Sequence, residues 1–203
     1  RYISDIWNIY DFTTVELPIT MKITSKDIIL DTDERIRMQS EPVQLPLSNE
    51  DRELLQAMLD YVRNSQNDEI AEAEDLQPAV GIAAVQVGVL KQMIAVVIPY
   101  EDGVDEVALV NPKIISESVQ NAYLDNGEGC LSVKGEHPGH VFRHARIKVR
   151  GYDLIQDKNV TISAEGYFAI CLQHEIDHLS GTLFYDHIDA NNPWKSDDEA
   201  EVI

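Results

Sequence analysis

Cysteine is scarce in this chain: Cys130 and Cys171 are the only two among 203 residues. A small secreted scaffold stapled by disulfides uses more, so that class is excluded, and two thiols suit a reducing compartment. Basic residues are also few, 16 Lys and Arg against 36 Asp and Glu, for a formal net charge of −20. Nucleic-acid modules need clustered cations to meet phosphate, and that class is excluded too. The acidic excess reads as a solvated surface, gathered partly in Asn67–Asp75 and Ser196–Glu201. No apolar run approaches the length of a membrane span. The first residues also lack a leader's continuous apolar stretch, because Ile3, Ile6, Trp7, Ile9, Tyr10 and Phe12 are interrupted by Asp5, Asn8 and Asp11. Internal repeats, Gly/Ser linkers and low-complexity tracts are missing as well. These absences leave a globular protein expected in the cytoplasm.

What is present is ordinary for such a protein: 44% hydrophobic and 26% charged residues. The length suits one domain with a substantial core. Met21-Lys22 offers a natural start, so residues 1–20 read as a non-native or extension segment. Residues 21–190 are then expected to form a single domain, and 191–203 an acidic tail. Ser48 is placed as an N-cap, with Glu50, Asp51 and Glu53 in the turn that follows. Leu54, Leu55, Met58, Leu59 and Val62 recur at helical spacing and predict an amphipathic helix over 49–65, its apolar stripe facing the core.

Beyond an acidic loop at Asn67–Asp75, strands are predicted at Gln92–Ile98, Glu106–Val110 and Lys113–Ile115, the last two separated by Asn111-Pro112. Further strands are predicted at Arg146–Tyr152, with Gly151 as a bulge, and at Val160–Ala164. A helix follows over Tyr167–Ser180, stopped by Gly181. The order implies an α+β fold, with antiparallel sheets around a central helix late in the chain.

That helix carries His174-Glu175-Ile176-Asp177-His178. Residues four apart share a helix face, so both imidazoles can address one metal ion while Glu175 reaches a water beside it. The same five residues also occur as a solvent-facing pair of histidines, but Ile170, Leu172, Ile176 and Leu179 around them indicate a buried helix. A catalytic site of this kind keeps three protein ligands and one open position. The candidate third ligand is Cys130 in Glu128-Gly129-Cys130-Leu131-Ser132, although a lone cysteine is more often a small buried hydrophobe.

A third segment completes a pattern: Ala79-Val80-Gly81-Ile82-Ala83-Ala84-Val85-Gln86. The three segments, in this order, resemble the peptide deformylases, and the likeness covers about 27–188. Residues 138–146, Asn111-Pro112 and the loop before the first segment are similar to the longer Gram-positive form. Ala79 departs from the family's usual glycine, Val85 from a proline or small polar residue, and Lys134 from a frequent Asp. The methyl of Ala79 is expected to tighten the substrate groove.

The resemblance implies hydrolysis of the N-formyl group from the formyl-methionine of nascent chains, releasing formate. It implies one divalent metal held by Cys130, His174 and His178, natively Fe(II), with Zn, Ni or Co able to substitute. Glu175 is then the general base, and Gln86 and the Leu131 backbone N–H the oxyanion donors. Val80, Tyr167, Ile170 and Cys171 would form the methionine pocket, and Gly81, Ile82 and Gly129 the backbone track for the peptide. Arg143 is expected to pair with Glu128. Helical geometry turns Cys171 away from the metal, so it reads as pocket wall and no disulfide is expected.

The implied partners are formyl-methionyl nascent peptides and, transiently, the ribosome. Some relatives dock there through a basic helix near their end, but Lys195 among Asp197, Asp198, Glu199 and Glu201 disfavours that mode here. A monomer is expected. Two other readings stand beside this one. A zinc endopeptidase shares the paired histidines but needs a further ligand downstream, and Asp186, His187 and Asp189 lie too close to the helix end. A catalytically silent paralogue that only binds formylated chains has no use for Glu175 and Gln86.

Overall fold

The amphipathic segment after Ser48 forms the first long helix of the computed structural model, which describes residues 20–203. Helix α1 spans Asn49–Ser65, and the Ser48 hydroxyl accepts the Asp51 N–H at 3.1 Å, satisfying one of the donors that a helix start leaves open. Leu54, Leu55, Met58, Leu59 and Val62 are all buried. The extension read over 1–20 lies almost wholly outside the described residues.

Five strands form the main sheet in the order β1-β2-β3-β6-β7: β1 (Gly81–Ala83), β2 (Met93–Tyr100), β3 (Gly103–Glu117), β6 (Arg146–Asp153) and β7 (Lys158–Glu165). Every adjacent pair is antiparallel. The pleat sends Met93, Ala95, Val97, Ala108 and Val110 toward α1. Their neighbours Ile94, Val96, Ile98, Val107 and Leu109 pack with Phe168, Ala169 and Leu172 of helix α3 (Gly166–His178). At β2 both faces of the sheet are covered, which explains why that strand reads as an unbroken apolar run.

A second, smaller sheet joins β5 (Arg143–His144), β4 (Asn121–Tyr123) and β8 (Glu201–Val202). Helix α3 reaches it through Ile170, which packs with Ala122 and Ala145, and through Gln173. The Gln173 amide accepts the His144 N–H and donates to the His144 carbonyl, both at 2.9 Å. The late helix therefore bridges the two sheets, as the α+β reading anticipates.

Several local expectations are corrected. The acidic loop contains a helix, α2 (Asp68–Glu74), capped by the Asn67 side chain, which accepts the Ile70 N–H at 3.1 Å. Asn111-Pro112 does not divide two strands. β3 runs through it with a register shift between Val110 and Lys113, and Asn111 takes a positive φ of 51°. The Asn111 amide is fastened to Val43 by two 2.8 Å hydrogen bonds, one to the N–H and one to the carbonyl. The bulge thus lies in β3 and not at Gly151, which pairs regularly with Val160; a side chain there would meet the Val110 carbonyl at 3.0 Å. Helix α3 stops at His178, two residues earlier than expected, and the chain leaves through turn hydrogen bonds to Gly181. Residues 191–203 do not hang free: β8 pairs with β4, in parallel.

Candidate active site

Helix α3 presents His174, Glu175 and His178 toward the loop that carries Cys130. The ligand atoms of Cys130, His174 and His178 all lie within 4.8 Å of one another. Cys130 Sγ is 3.4 Å from His178 Nε2. A tetrahedral ion with sulfur at ~2.3 Å and nitrogen at ~2.0 Å would set such a pair roughly 3.5 Å apart, so the residues fit a metal. The donor set, one thiolate and two imidazoles, suits a borderline divalent ion.

The site is oriented from behind by a buried polar chain. His174 Nδ1 lies 2.8 Å from Glu128 Oε1, which turns the other ring nitrogen toward Cys130, as metal-binding histidines require. Arg143 donates to both Glu128 oxygens, at 2.8 and 2.9 Å, and to Asp177 Oδ2 at 2.9 Å. His187 Nε2 meets the same Asp177 oxygen at 2.8 Å. The side chains of Arg143 and Glu128 are each only 3% exposed, so the expected pair is a fully desolvated, bidentate one.

These contacts set the charges. Burial pushes Glu128 up, but hydrogen bonds from His174 and Arg143 outweigh it and hold the carboxyl at about 2. Burial pushes His174 down, yet its hydrogen bonds to Cys130 and Glu128 carry it up to about 10; a bound cation would take the place of that proton. Burial, then the charge of His174, brings His178 down to about 3, keeping its imidazole neutral. Burial pushes Glu175 up to about 7, against the pull of His174 and Arg143. Among the described residues, Glu175 Oε2 is buried without a hydrogen-bond partner.

Beside the triad opens a cavity of about 430 Å³. It is lined by Val80, Gly81, Gln86, Gly129, Cys130, Leu131, Tyr167, Ile170, Cys171, His174 and Glu175. Gly81 is required at its place, because a Cβ there would sit 2.6 Å from Glu175 Oε1. Ile82 differs from the others: its side chain is fully buried in the core under α1, and only its backbone belongs to the edge strand β1. Gln86 is held by its own turn, its Oε1 accepting the Ala83 N–H at 2.9 Å. Its Nε2 donates to Ser132 Oγ at 3.1 Å and to Cys130 Sγ at 3.5 Å.

Both cysteines are free. Cys171 stands in the cavity wall beside Tyr167, and burial followed by the charge of Glu175 pushes its thiol up, so it stays protonated.

The structure adds residues the motifs do not announce. Gln66, Gln77, Pro78 and Leu124 also line the cavity. Gln66 donates to the Ala79 carbonyl at 3.0 Å and the Val97 carbonyl at 2.9 Å, fixing the segment that leads into β1. Ser132 lies inside the second motif and Asp177 inside the third, so position marks both; no sequence signal links His187 to the site.

Comparison with known proteins places the chain in a family. Residues 25–194 match the polypeptide deformylase family. The chain is 47% identical over 182 residues to peptide deformylase 2 of Bacillus subtilis (strain 168), covering 89% of this chain and 98% of that protein. It is 49% identical over 184 residues to a peptide deformylase of Staphylococcus epidermidis (strain ATCC 12228 / FDA PCI 1200), covering 89% of this chain and 100% of that one. The fold superposes with TM-score 0.66 on the peptide deformylase of Ehrlichia chaffeensis in complex with actinonin, at 34% identity, covering 85% and 92% of the two chains. The chain belongs to the polypeptide deformylase family, hydrolases that remove the N-formyl group from formyl-methionyl peptides.

Proposed function

We propose that this chain hydrolyses the formyl group from nascent formyl-methionyl peptides with a divalent metal held by Cys130, His174 and His178. The observation that carries this reading is the meeting of those three ligand atoms within 4.8 Å, at a cavity that Glu175 and Gln86 also line. Fe(II) is the native ion in this reading, and Zn, Ni or Co would substitute. When bound, the ion supplies Lewis-acid activation of water and of the formyl group.

The protein groups do the rest. Glu175 takes a proton from the attacking water and returns it to the departing amine. The Gln86 amide and the Leu131 N–H donate to the oxyanion; losing one such donor costs roughly 3–4 kcal/mol of transition-state stabilisation. Val80, Tyr167, Ile170 and Cys171 enclose the methionine side chain. The outer edge of β1, at Gly81 and Ile82, and the facing Gly129 bind the peptide backbone as an added strand. Backbone recognition leaves the residues after methionine largely free. The reaction is placed in the cytoplasm on a monomeric enzyme, with ribosome contact brief and not mediated by the acidic final segment.

Glu175→Gln tests the assignment. The variant should retain metal and bind a formyl-Met tripeptide as the parent does, while formate release falls by roughly 10²–10⁴-fold. Equal rates at equal metal content would remove Glu175 as the base. Cleavage of internal peptide bonds by the parent would instead favour the endopeptidase reading.

A further inference from the structure

His140 stands outside the catalytic cluster and is 8% exposed. Its two ring nitrogens face two main-chain carbonyl oxygens: Nδ1 lies 2.7 Å from Lys195 O, and Nε2 lies 3.1 Å from Asp125 O. A carbonyl oxygen only accepts. A neutral imidazole has one N–H and one lone pair, so it can satisfy one of these contacts and must set a lone pair against the other oxygen. The imidazolium satisfies both. The surroundings suit a cation: the Tyr123 ring centroid is 4.3 Å away and that of Trp194 is 5.0 Å away.

The titratable groups around it are Tyr123 on β4, Asp125 in the loop that follows β4, and Lys195 in the final segment. Asp125 and Lys195 engage the ring through their backbones, and the Lys195 ammonium is turned to Asp189 at 3.3 Å.

The two carbonyls belong to different parts of the chain. Lys195 is in the segment that ends in β8, and Asp125 begins the loop that delivers Glu128, Gly129 and Cys130 to the site. That loop rests directly on residue 139: a Cβ on Gly127 would sit 2.9 Å from the Gly139 carbonyl. The His140 N–H donates to the Pro193 carbonyl at 2.8 Å, and Asp125 and Ile203 are joined by a further hydrogen bond at 3.0 Å. The small sheet's own aliphatic cluster is slight, Ala122 and Ala145 against Ile170, and the rings of Tyr123, Phe142 and Trp194 gather around His140. The contacts of His140 therefore help to hold this wall of the cavity.

The geometry points to His140 as a positioning residue: as an imidazolium it clasps the segment 193–203 to the loop 125–129 and so sets the wall against which the peptide backbone binds. This rests on the cavity being the formyl-peptide site. The clasp acts on the wall at Leu124 and Gly129, which line the cavity, whereas Glu128 is tied separately through Arg143 to Asp177 of helix α3 and Glu175 stands on that helix. Its loss should therefore raise KM and spare kcat.

Two measurements test it. Nitrogen-15 NMR of the metal-loaded protein at the assay pH should show both His140 ring nitrogens protonated. A single-proton tautomer there overturns the proposal, whatever the activity assay shows. His140→Phe fills the same aromatic slot without donors. Its KM for a formyl-Met tripeptide should rise roughly tenfold, the scale of one charge-assisted hydrogen bond, with kcat within about twofold. An unchanged KM in a folded His140→Phe overturns the proposal; should that variant not fold, the NMR result on the parent decides. Failure of the parent to release formate would overturn the deformylase reading and leave the NMR result standing.

Discussion

The two walls of the candidate active-site cavity are built from different materials. One wall is β1 and α3, backed by a sheet whose central strands are covered on both faces by apolar side chains. The other is the loop 124–131, backed by a three-stranded sheet with a small aliphatic cluster, an aromatic group of Tyr123, His140, Phe142 and Trp194, and a set of charged and polar clasps. The first wall carries His174, Glu175 and His178; the second carries Cys130 and Glu128. The proposed metal site between them would need the second wall held in register with the first, and the Glu128–Arg143–Asp177 chain spans that gap. Packing supplies stability over a broad area, whereas directional polar contacts supply position at a point, and this molecule assigns the two tasks to different regions.

That contrast predicts which substitutions damage what. The largest effect is expected from Arg143→Leu, which removes the guanidinium shared by the buried Glu128 and the partly buried Asp177 and leaves each with only a histidine partner. Breaking a buried pair on one side costs about 3–5 kcal/mol, and the His174 orientation is lost with it. Urea unfolding should show that deficit, and metal content after gel filtration should fall; full metal retention would separate the polar chain from the site. Leu55→Ala, in the fully buried stripe of α1, should cost about 2–5 kcal/mol of stability yet leave kcat/KM of the folded protein near the parent value. A matching fall in kcat/KM would show that the two walls are not independent. Ser48→Ala removes a single capping bond and should cost about 1 kcal/mol, seen as a small shift of the urea midpoint with unchanged activity.

Much of the rigid wall is legible from local pattern. Helix α1 follows its apolar period from Asn49 to Ser65, and its cap is the serine the pattern selects. His174, Glu175 and His178 share their neighbourhood because helical spacing puts them there. What the pattern misreads is where a local preference meets a distant contact. Asn111-Pro112 reads as a break, yet β3 continues because Val43 takes both ends of the Asn111 amide. The acidic stretch at 68–74 reads as loop because its seven residues bury only Ala71, too little apolar surface to print a period.

The second wall was less open to such reading. The need for a third ligand, and then the resemblance, brought Cys130 to the histidines, and the resemblance alone matched Arg143 with Glu128. Nothing local joins Glu201–Val202 to Asn121–Tyr123, or His187 to Asp177, or sets His140 between two carbonyls. By itself the sequence determined the elements whose cause is a repeat of side chains along one stretch: the amphipathic helix, the apolar strands and the ligand-bearing helix turn. Only the tertiary structure decided the contacts that close over long separations, because a hydrogen bond between residues 55 or 80 positions apart depends on where packing brings both ends and leaves no period in either segment.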